Sequence, residues 1–327
     1  MEKVFISRRI PNRAIETLKS AGLEVKVWGS AIPPTQEELA EHTALADALI
    51  CMLSDNINKD FLLKNKHLKV ITNYAVGFNN IDIGAATELG IPIGNTPDVL
   101  SEATADHAFT LMLAVARKIL DSNRSIGEGK WKNWEPMGFL GQDLRGRTLG
   151  IVGMGRIGQE FSRLCHQAFG MKILYFSNTA KPEIDKKFGA KKVDFDELLA
   201  QSDVISVHTS LNEGTKGIFD KKAFRQMKKS AIFINTARGE IHQEADLIEA
   251  LSAGEIWGAG LDVSNPEPMS SESPLLTLPN AIVTPHIASA TIDTRANMAF
   301  IAAQNVIKGL KNEKLLGFVN PIVHTKV

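Results

Sequence analysis

Cysteine is scarce in this sequence: of 327 residues only Cys51 and Cys165 are cysteines, both in apolar surroundings. A disulfide framework is therefore not indicated, and a reducing, cytoplasmic setting is expected. An excess of either charge is also missing, because 37 Lys and Arg balance 37 Asp and Glu. With no long basic run either, nothing points to a nucleic-acid partner. No apolar stretch approaches the ~20 residues that a membrane-spanning helix needs. The N-terminus runs straight into Val4-Phe5-Ile6, without the charged-then-apolar order of a signal peptide. Internal repeats and low-complexity segments are absent, and no metal site is expected. What is present is apolar material, 44% of the chain, enough for about two domains with separate cores.

Short β-rich runs alternate with helical patterns from end to end, which implies α/β architecture with parallel, doubly wound sheets. In the first third, strands are expected at 4–7, 24–28, 48–53, 69–74 and 91–94, with helices at 11–21 and 35–46. Thr35, followed by Glu38 three residues on, has the pattern of a capping box. The rhythm then breaks: 101–120 reads as one long apolar-faced helix, and 127–141 as a loop rich in Trp and Gly. A second βα series follows, with strands at 149–153, 172–176, 204–208, 232–235, 258–263 and 282–285, before a long helix at 292–311 and a tail at 315–327. Two long helices bracketing a complete α/β unit suggest one domain inserted into another. The expected division is a discontinuous substrate domain, 1–99 and 291–327, around a central cofactor domain, 100–290.

The apolar run Leu149-Gly150-Ile151-Val152 leads into Gly153-Met154-Gly155-Arg156-Ile157-Gly158 and then a helix-compatible stretch. A GxGxxG pattern is weak alone; strand before and helix after make it a dinucleotide-binding turn. Gly153 permits the tight turn, Gly155 lets backbone approach a pyrophosphate, and Gly158 allows close helix–strand packing. The next strand ends in Ser177-Asn178-Thr179-Ala180-Lys181. An NAD-preferring site usually has Asp or Glu there to bind the ribose hydroxyls. Its absence removes the repulsion that a 2′-phosphate would meet, so NADP is the expected preference over NAD, with Ser177 and Asn178 beside that phosphate.

Three later strand ends carry ionisable residues: Arg238 after 232–235, Glu267 after 258–263, and His286 after 282–285. Ligands of doubly wound folds bind outside the strand C-termini. Hydride delivery to a ketone creates an alkoxide that needs a proton, which a histidine supplies near neutral pH. A neighbouring carboxylate orients that ring and favours its charged form. The planar fork of an arginine suits a substrate carboxylate. Singly, each residue has an ordinary surface or packing role; together, downstream of a dinucleotide turn, they form a catalytic candidate.

These motifs, with Asn235-Thr236-Ala237-Arg238-Gly239, Gly260-Leu261-Asp262-Val263 and Thr284-Pro285-His286, resemble the D-isomer-specific 2-hydroxyacid dehydrogenases over nearly the whole chain. The resemblance implies a Rossmann cofactor domain inserted into a flavodoxin-like substrate domain. It makes Arg238, Glu267 and His286 the catalytic residues and sets Asp262 against the nicotinamide carboxamide. It adds Thr104, Arg156, Ile157, His208, Thr209, Thr215, Thr236 and Ala237 to the cofactor's surroundings. The loop Asn73 to Asp82 resembles the family's substrate loop, where the N–H groups of Val76 and Gly77 would hold the substrate carboxylate. Within the family, Met52-Leu53-Ser54 and Trp131-Lys132-Asn133-Trp134 are most similar to the glyoxylate/hydroxypyruvate reductases. Leu53 would wall a small pocket, and Trp134 would reach the pocket of a partner subunit in a homodimer built on the 103–120 helix and the Trp loop. The implied activity is reduction of a small 2-oxo acid to the D-2-hydroxy acid. The alternatives are another 2-hydroxy acid such as D-3-phosphoglycerate, or a non-enzymatic NAD(H)-sensing, corepressor-like protein. Two features depart from the pattern. Asn178 stands where NADP-using reductases often have Arg, and Glu240-Ile241-His242-Gln243 replaces the usual apolar residues and Asp. With the chain ending at Val327, no C-terminal regulatory module of the phosphoglycerate dehydrogenase type is expected, and hence no serine feedback.

Overall fold

The computed structural model describes residues 1–325; Lys326 and Val327, the end of the expected tail, lie outside them. The chain divides into two compact units, one made of Met1–Leu100 with the chain from Ala290 onward, the other Ser101–Ser289.

The first unit contains β1 (Lys3–Ile6), α1 (Asn12–Ser20), β2 (Glu24–Val27), α2 (Gln36–Thr43), β3 (Ala48–Cys51), α3 (Lys59–Lys64), β4 (Val70–Asn73), α4 (Ile83–Glu88) and β5 (Ile93–Gly94). All strands are parallel, in the order β2-β1-β3-β4-β5, which is the flavodoxin-like winding. β3 and β4 are buried at every residue, as expected for strands covered on both faces, whereas edge strand β2 alternates. The capping box at Thr35 forms: its hydroxyl accepts from Glu38 N–H, and the Glu38 carboxylate accepts from Thr35 N–H. The C-terminal helix Ile292–Leu310 packs on α1, β3 and β4.

The second unit comprises α5 (Ser101–Ala116), α6 (Ile119–Gly127), β6 (Thr148–Val152), α7 (Arg156–Phe169), β7 (Lys172–Phe176), α8 (Pro182–Phe188), β8 (Lys191–Lys192), α9 (Phe195–Gln201), β9 (Val204–Val207), α10 (Lys221–Gln226), β10 (Ile232–Asn235), α11 (Glu244–Ser252), β11 (Gly258–Leu261) and β12 (Ala281–Val283). Its parallel sheet runs β12-β11-β10-β9-β6-β7-β8, reversing direction at β6, the Rossmann winding. Helix α5 lies on β10, β11 and α7. Gly258 and Gly260 make room for it: a Cβ there would stand 2.8 and 2.9 Å from Val115 and Leu111.

Two local expectations are corrected. The segment 101–120 is not one helix, because Lys118 adopts a left-handed conformation (φ 51°) that ends α5 and starts α6. Short strand β8 was not anticipated; it consists of two exposed lysines and carries no apolar signal. Among the described residues, no helix is long and apolar enough to cross a membrane, and no cluster of His, Cys, Asp or Glu could hold a metal.

Candidate active site

The turn from β6 to α7 meets the geometric demands of a nucleotide diphosphate. Gly153 sits at φ +98°, and a Cβ there would lie 2.5 Å from Thr209 N. At Gly158 a Cβ would stand 2.3 Å from the Gly153 carbonyl oxygen, so only glycine lets helix and strand meet. Around Gly155, in contrast, nothing lies within 4 Å of a Cβ position, and this residue N-caps α7 without any side-chain acceptor. The first-turn N–H groups of α7 thus face an open, electropositive helix end suited to phosphate. Thr236, 7% exposed at the exit of β10, has a buried hydroxyl with no partner among the described residues. Open backbone over a helix start and an orphaned hydroxyl two strands away fit a dinucleotide. Arg156 is exposed and Ile157 half-buried on the same first turn, and Thr104 is buried on α5.

At the end of β7, Ser177 is half-buried and donates to the Thr179 carbonyl at 3.2 Å, while Asn178 is exposed. No carboxylate belongs to this strand end. One cation there was not anticipated: Lys192 of β8 donates from Nζ to the Asn178 carbonyl at 3.3 Å. At the end of β9, desolvation pushes the His208 imidazole down to about 3, and its Nε2 lies 2.8 Å from Ser206 Oγ. Thr209 follows it. Thr215 is spent locally, its hydroxyl donating to the Ser210 carbonyl at 2.8 Å.

The same unit brings the three candidate catalytic residues to strand ends. His286 Nδ1 stands 2.6 Å from Glu267 Oε1. An ionised carboxylate only accepts, so the proton is on Nδ1 and Nε2 is the nitrogen left for exchange with a substrate. His286 itself holds the left-handed conformation, φ 55°. Arg238 is half-buried, and its Nη1 donates to the Ala237 carbonyl at 2.7 Å. Desolvation pulls the guanidinium below its usual range, while Glu267 and Glu240 favour its charge. Gly239 is the contact between the loops that carry Arg238 and Glu267: a Cβ there would lie 2.0 Å from the Ser264 carbonyl oxygen.

What holds the His286 loop was not visible in the sequence. Asp262 is fully buried, and its carboxylate accepts from Ile287 N–H at 2.8 Å, Ala288 N–H at 2.7 Å and Thr284 Oγ1 at 2.6 Å. His107 of α5 approaches the same carboxylate at 3.4 Å and Thr284 Oγ1 at 2.9 Å. Desolvation opposes ionisation of Asp262, but these hydrogen bonds outweigh it and the carboxyl is held below its ordinary value. Both oxygens therefore serve to pin the backbone just after His286.

In the first unit, the candidate substrate loop leaves β4 under similar restraint. The carbonyl of Val76 accepts from Asn95 Nδ2 at 2.8 Å, and that of Gly77 from Asn73 Nδ2 at 2.7 Å. Their N–H groups make no hydrogen bond among the described residues. Asn80 ties this loop to the turn that presents half-buried Leu53, donating to the carbonyls of Met52 at 3.0 Å and Asp55 at 3.1 Å. Asp55 closes that turn by accepting from Met52 N–H and from Ser7. The pairing of Asn73 and Asn80 is the one sequence signal that could have revealed this support. Trp134 is 82% exposed in the loop after α6, standing out from its own unit.

His242 adds a pH dependence. It is 1% exposed, and desolvation pushes its imidazole down to about 4. Unfolded, a histidine takes its proton below about 6.5. Stability from this group is thus lost as pH falls from there to about 4, and no further below. At about 1.4 kcal/mol per pH unit the loss is roughly 3 kcal/mol. Melting temperatures between pH 6.5 and 4 should fall less steeply in His242→Leu than in the wild type; parallel curves would mean the ring accepts its proton inside the fold.

Comparison with known proteins places the chain among relatives of one family. The family model described as "D-isomer specific 2-hydroxyacid dehydrogenase, NAD binding domain" matches residues 109–288. A glyoxylate reductase of Thermococcus litoralis is 44% identical over 99% of this chain and 98% of its own length. A second, from Korarchaeum cryptofilum, is 41% identical over 97% of this chain and 96% of its own. The crystal structure of the TT0316 protein of Thermus thermophilus superposes with a TM-score of 0.91 at 40% identity, covering 97% of this chain and 99% of that one.

Proposed function

The chain belongs to the D-isomer-specific 2-hydroxyacid dehydrogenase family, and from that premise we propose that it reduces glyoxylate to glycolate and hydroxypyruvate to D-glycerate with a nicotinamide cofactor. It is an NAD(P)-dependent oxidoreductase with two parallel-sheet α/β domains. The observation that carries the reading is the 2.6 Å contact of His286 Nδ1 with Glu267 in the unit that also presents Arg238 and the glycine-lined turn.

When bound, the nicotinamide cofactor supplies the hydride. Gly155, Arg156 and Ile157 at the start of α7 would hold its phosphates, with Thr104, His208, Thr209, Thr236 and Ala237 along its path. Arg238 binds the substrate carboxylate and polarises the adjacent carbonyl. In the first unit, the N–H groups of Val76 and Gly77 are candidates to bind a carboxylate without any side-chain ordering. Leu53, half-buried in the turn that Asn80 supports, is our candidate for the residue that restricts substrates to small 2-oxo acids. His286 donates from Nε2 to the carbonyl oxygen as it gains charge, and Glu267 keeps the ring oriented throughout. Turnover with glyoxylate, hydroxypyruvate, pyruvate and 3-phosphohydroxypyruvate tests this. Glyoxylate and hydroxypyruvate should give the highest kcat/KM; a preference for the phosphorylated acid would replace the substrate reading, and no turnover at all would favour a cofactor-sensing binding protein.

The cofactor of choice in our reading is NADP(H), because Ser177 and Asn178 offer hydrogen bonds, no carboxylate repels a 2′-phosphate, and Lys192 reaches the same loop. One charge-assisted contact is worth about 1.5–3 kcal/mol, so kcat/KM should favour NADPH over NADH by about tenfold or more. A preference for NADH would overturn this choice and leave the reaction intact.

We further read the protein as a cytoplasmic homodimer. Ile119, Ile126, Trp131, Trp134, Met137 and Leu140 are exposed on α6 and the loop after it; large apolar side chains left in water in such number on one segment are of the kind that marks an interface. Helix α5, by contrast, turns its apolar face into its own unit. Sedimentation at micromolar concentration should give twice the chain mass, and Trp134→Lys should lower it. The two cysteines are free and buried, in keeping with a reducing compartment; cell fractionation checks this.

A further inference from the structure

His242 occupies an unusual place for a histidine. It directly follows the turn Gly239–Ile241, 1% exposed, with its ring edge-on to Phe233 at 5.8 Å between centroids. Its Nδ1 lies 3.1 Å from Asn235 Nδ2. An amide nitrogen only donates, so Nδ1 accepts and the ring proton sits on Nε2. That Nε2–H is buried and has no hydrogen-bond partner among the described residues. An unpaired buried donor is costly, and an apolar side chain of similar volume would avoid it. What the ring supplies and an apolar residue does not is the acceptor at Nδ1.

The use of that acceptor follows from Asn235, which is fully buried at the end of β10. Its Oδ1 accepts from Ala237 N–H at 2.9 Å, and its Nδ2 donates to the Arg238 carbonyl at 2.8 Å. The remaining Nδ2 hydrogen goes to His242. With both hydrogens and the oxygen engaged, the carboxamide has one orientation, and it clamps the backbone on either side of the Ala237–Arg238 peptide. Without His242, one hydrogen is left buried and unpaired, and the amide gains by turning away from the clamp.

We propose that His242 is a positioning residue for substrate binding: through Nδ1 it locks the Asn235 carboxamide, which in turn sets the backbone from which Arg238 reaches the substrate carboxylate. This rests on the reading of Arg238 as the substrate's cation. His242 does not touch the substrate. Nor does it act on the nucleotide turn, which belongs to β6 and α7.

Two substitutions separate positioning from packing. His242→Leu fills a similar volume, removes the acceptor, and also removes the unpaired Nε2–H. One unpaired donor is exchanged for another, on Asn235, so the melting temperature at neutral pH should change little. The KM for glyoxylate should rise and kcat/KM fall by about tenfold, with the Kd for NADPH changed far less, because the cofactor's phosphates would rest on the β6–α7 turn and only Ala237 of its surroundings touches the clamp. His242→Asn keeps an acceptor, Oδ1, near the place of Nδ1 and should restore most of the lost kcat/KM. Wild-type KM in His242→Leu would overturn the proposal. So would equal losses in both variants accompanied by a lower melting temperature and weaker NADPH binding, the signature of packing. Arg238→Lys, measured alongside, tests the underlying reading: an unchanged KM there would remove Arg238 as the anchor, whereas a raised KM there with a normal His242→Leu would remove only the role of His242.

Discussion

Replacing His286 with Ala should lower kcat by about 10²- to 10⁴-fold, the usual contribution of a positioned general acid, while the Kd for NADPH stays within about twofold. The separation of the two effects comes from how the loop is built. His286 follows β12 in a left-handed conformation, and the chain immediately after it is gripped by Asp262 through the N–H groups of Ile287 and Ala288. That grip uses backbone, not the imidazole, so it survives the substitution. Removal of the ring frees Glu267 from its contact, but Glu267 is exposed and its carboxylate can be hydrated. The glycines of the β6–α7 turn and the orphaned Thr236 hydroxyl belong to other strand ends and are not disturbed. What is lost is the Nε2 proton donor. Single-turnover rates and NADPH titration, taken together, check both halves. A kcat near that of the wild type would remove His286 as the acid, and a matching loss of NADPH affinity would show that the loop had collapsed instead.

Which parts of this molecule could be read in its sequence follows from how local their signals are. Parallel strands covered on both faces appear as apolar runs, so Val204–Val207 and Ile232–Asn235 were plain, and with them the strand ends that carry the candidate residues. The phosphate turn was plain because glycine spacing and the flanking elements are contiguous. The break at Lys118 was hidden, since neither Gly nor Pro marks it and Ile119 and Leu120 prolong the helical apolar pattern even though both are exposed. β8 was hidden for the opposite reason: its pairing with Leu174 and Tyr175 is made by backbone, and its two lysines carry no pattern. The clamp of His107, Thr284 and Asp262 joins three elements far apart in the chain, so only the fold reveals that Asp262 holds the His286 loop. His242 stood out in the sequence as a departure from its family, but its neutral state and its tie to Asn235 depend on burial, which the sequence does not state.

Gly239→Ala should damage the enzyme nearly as much as loss of a catalytic side chain, although no reacting group is removed. A Cβ at Gly239 would lie 2.0 Å from the Ser264 carbonyl oxygen, 2.2 Å from its carbon and 2.8 Å from Asn265 N. All three are backbone atoms, so no side chain can swing away, and the two segments must separate by about 1.4 Å to bring the 2.0 Å approach to ordinary contact at 3.4 Å. One of them is the exit of β10 that carries Arg238. The other leads to Glu267 and is itself braced, with Asn265 N–H donating to Glu244 at 3.3 Å and Ser264 Oγ to the Pro266 carbonyl at 2.8 Å. Displacing either moves the anchor away from the acid and its orienting carboxylate. A misplacement of that size costs about 10²-fold in rate, and overpacking costs about 1–3 kcal/mol of stability. Gly155→Ala is the natural comparison, because nothing lies within 4 Å of its Cβ position: it should fold normally and raise only the KM for the cofactor, where the new methyl would stand between backbone and pyrophosphate. Steady-state kinetics and thermal melts of the two variants decide the point. If Gly239→Ala keeps the wild-type kcat/KM, the loops tolerate separation and the placement of Arg238 relative to Glu267 and His286 does not govern the rate.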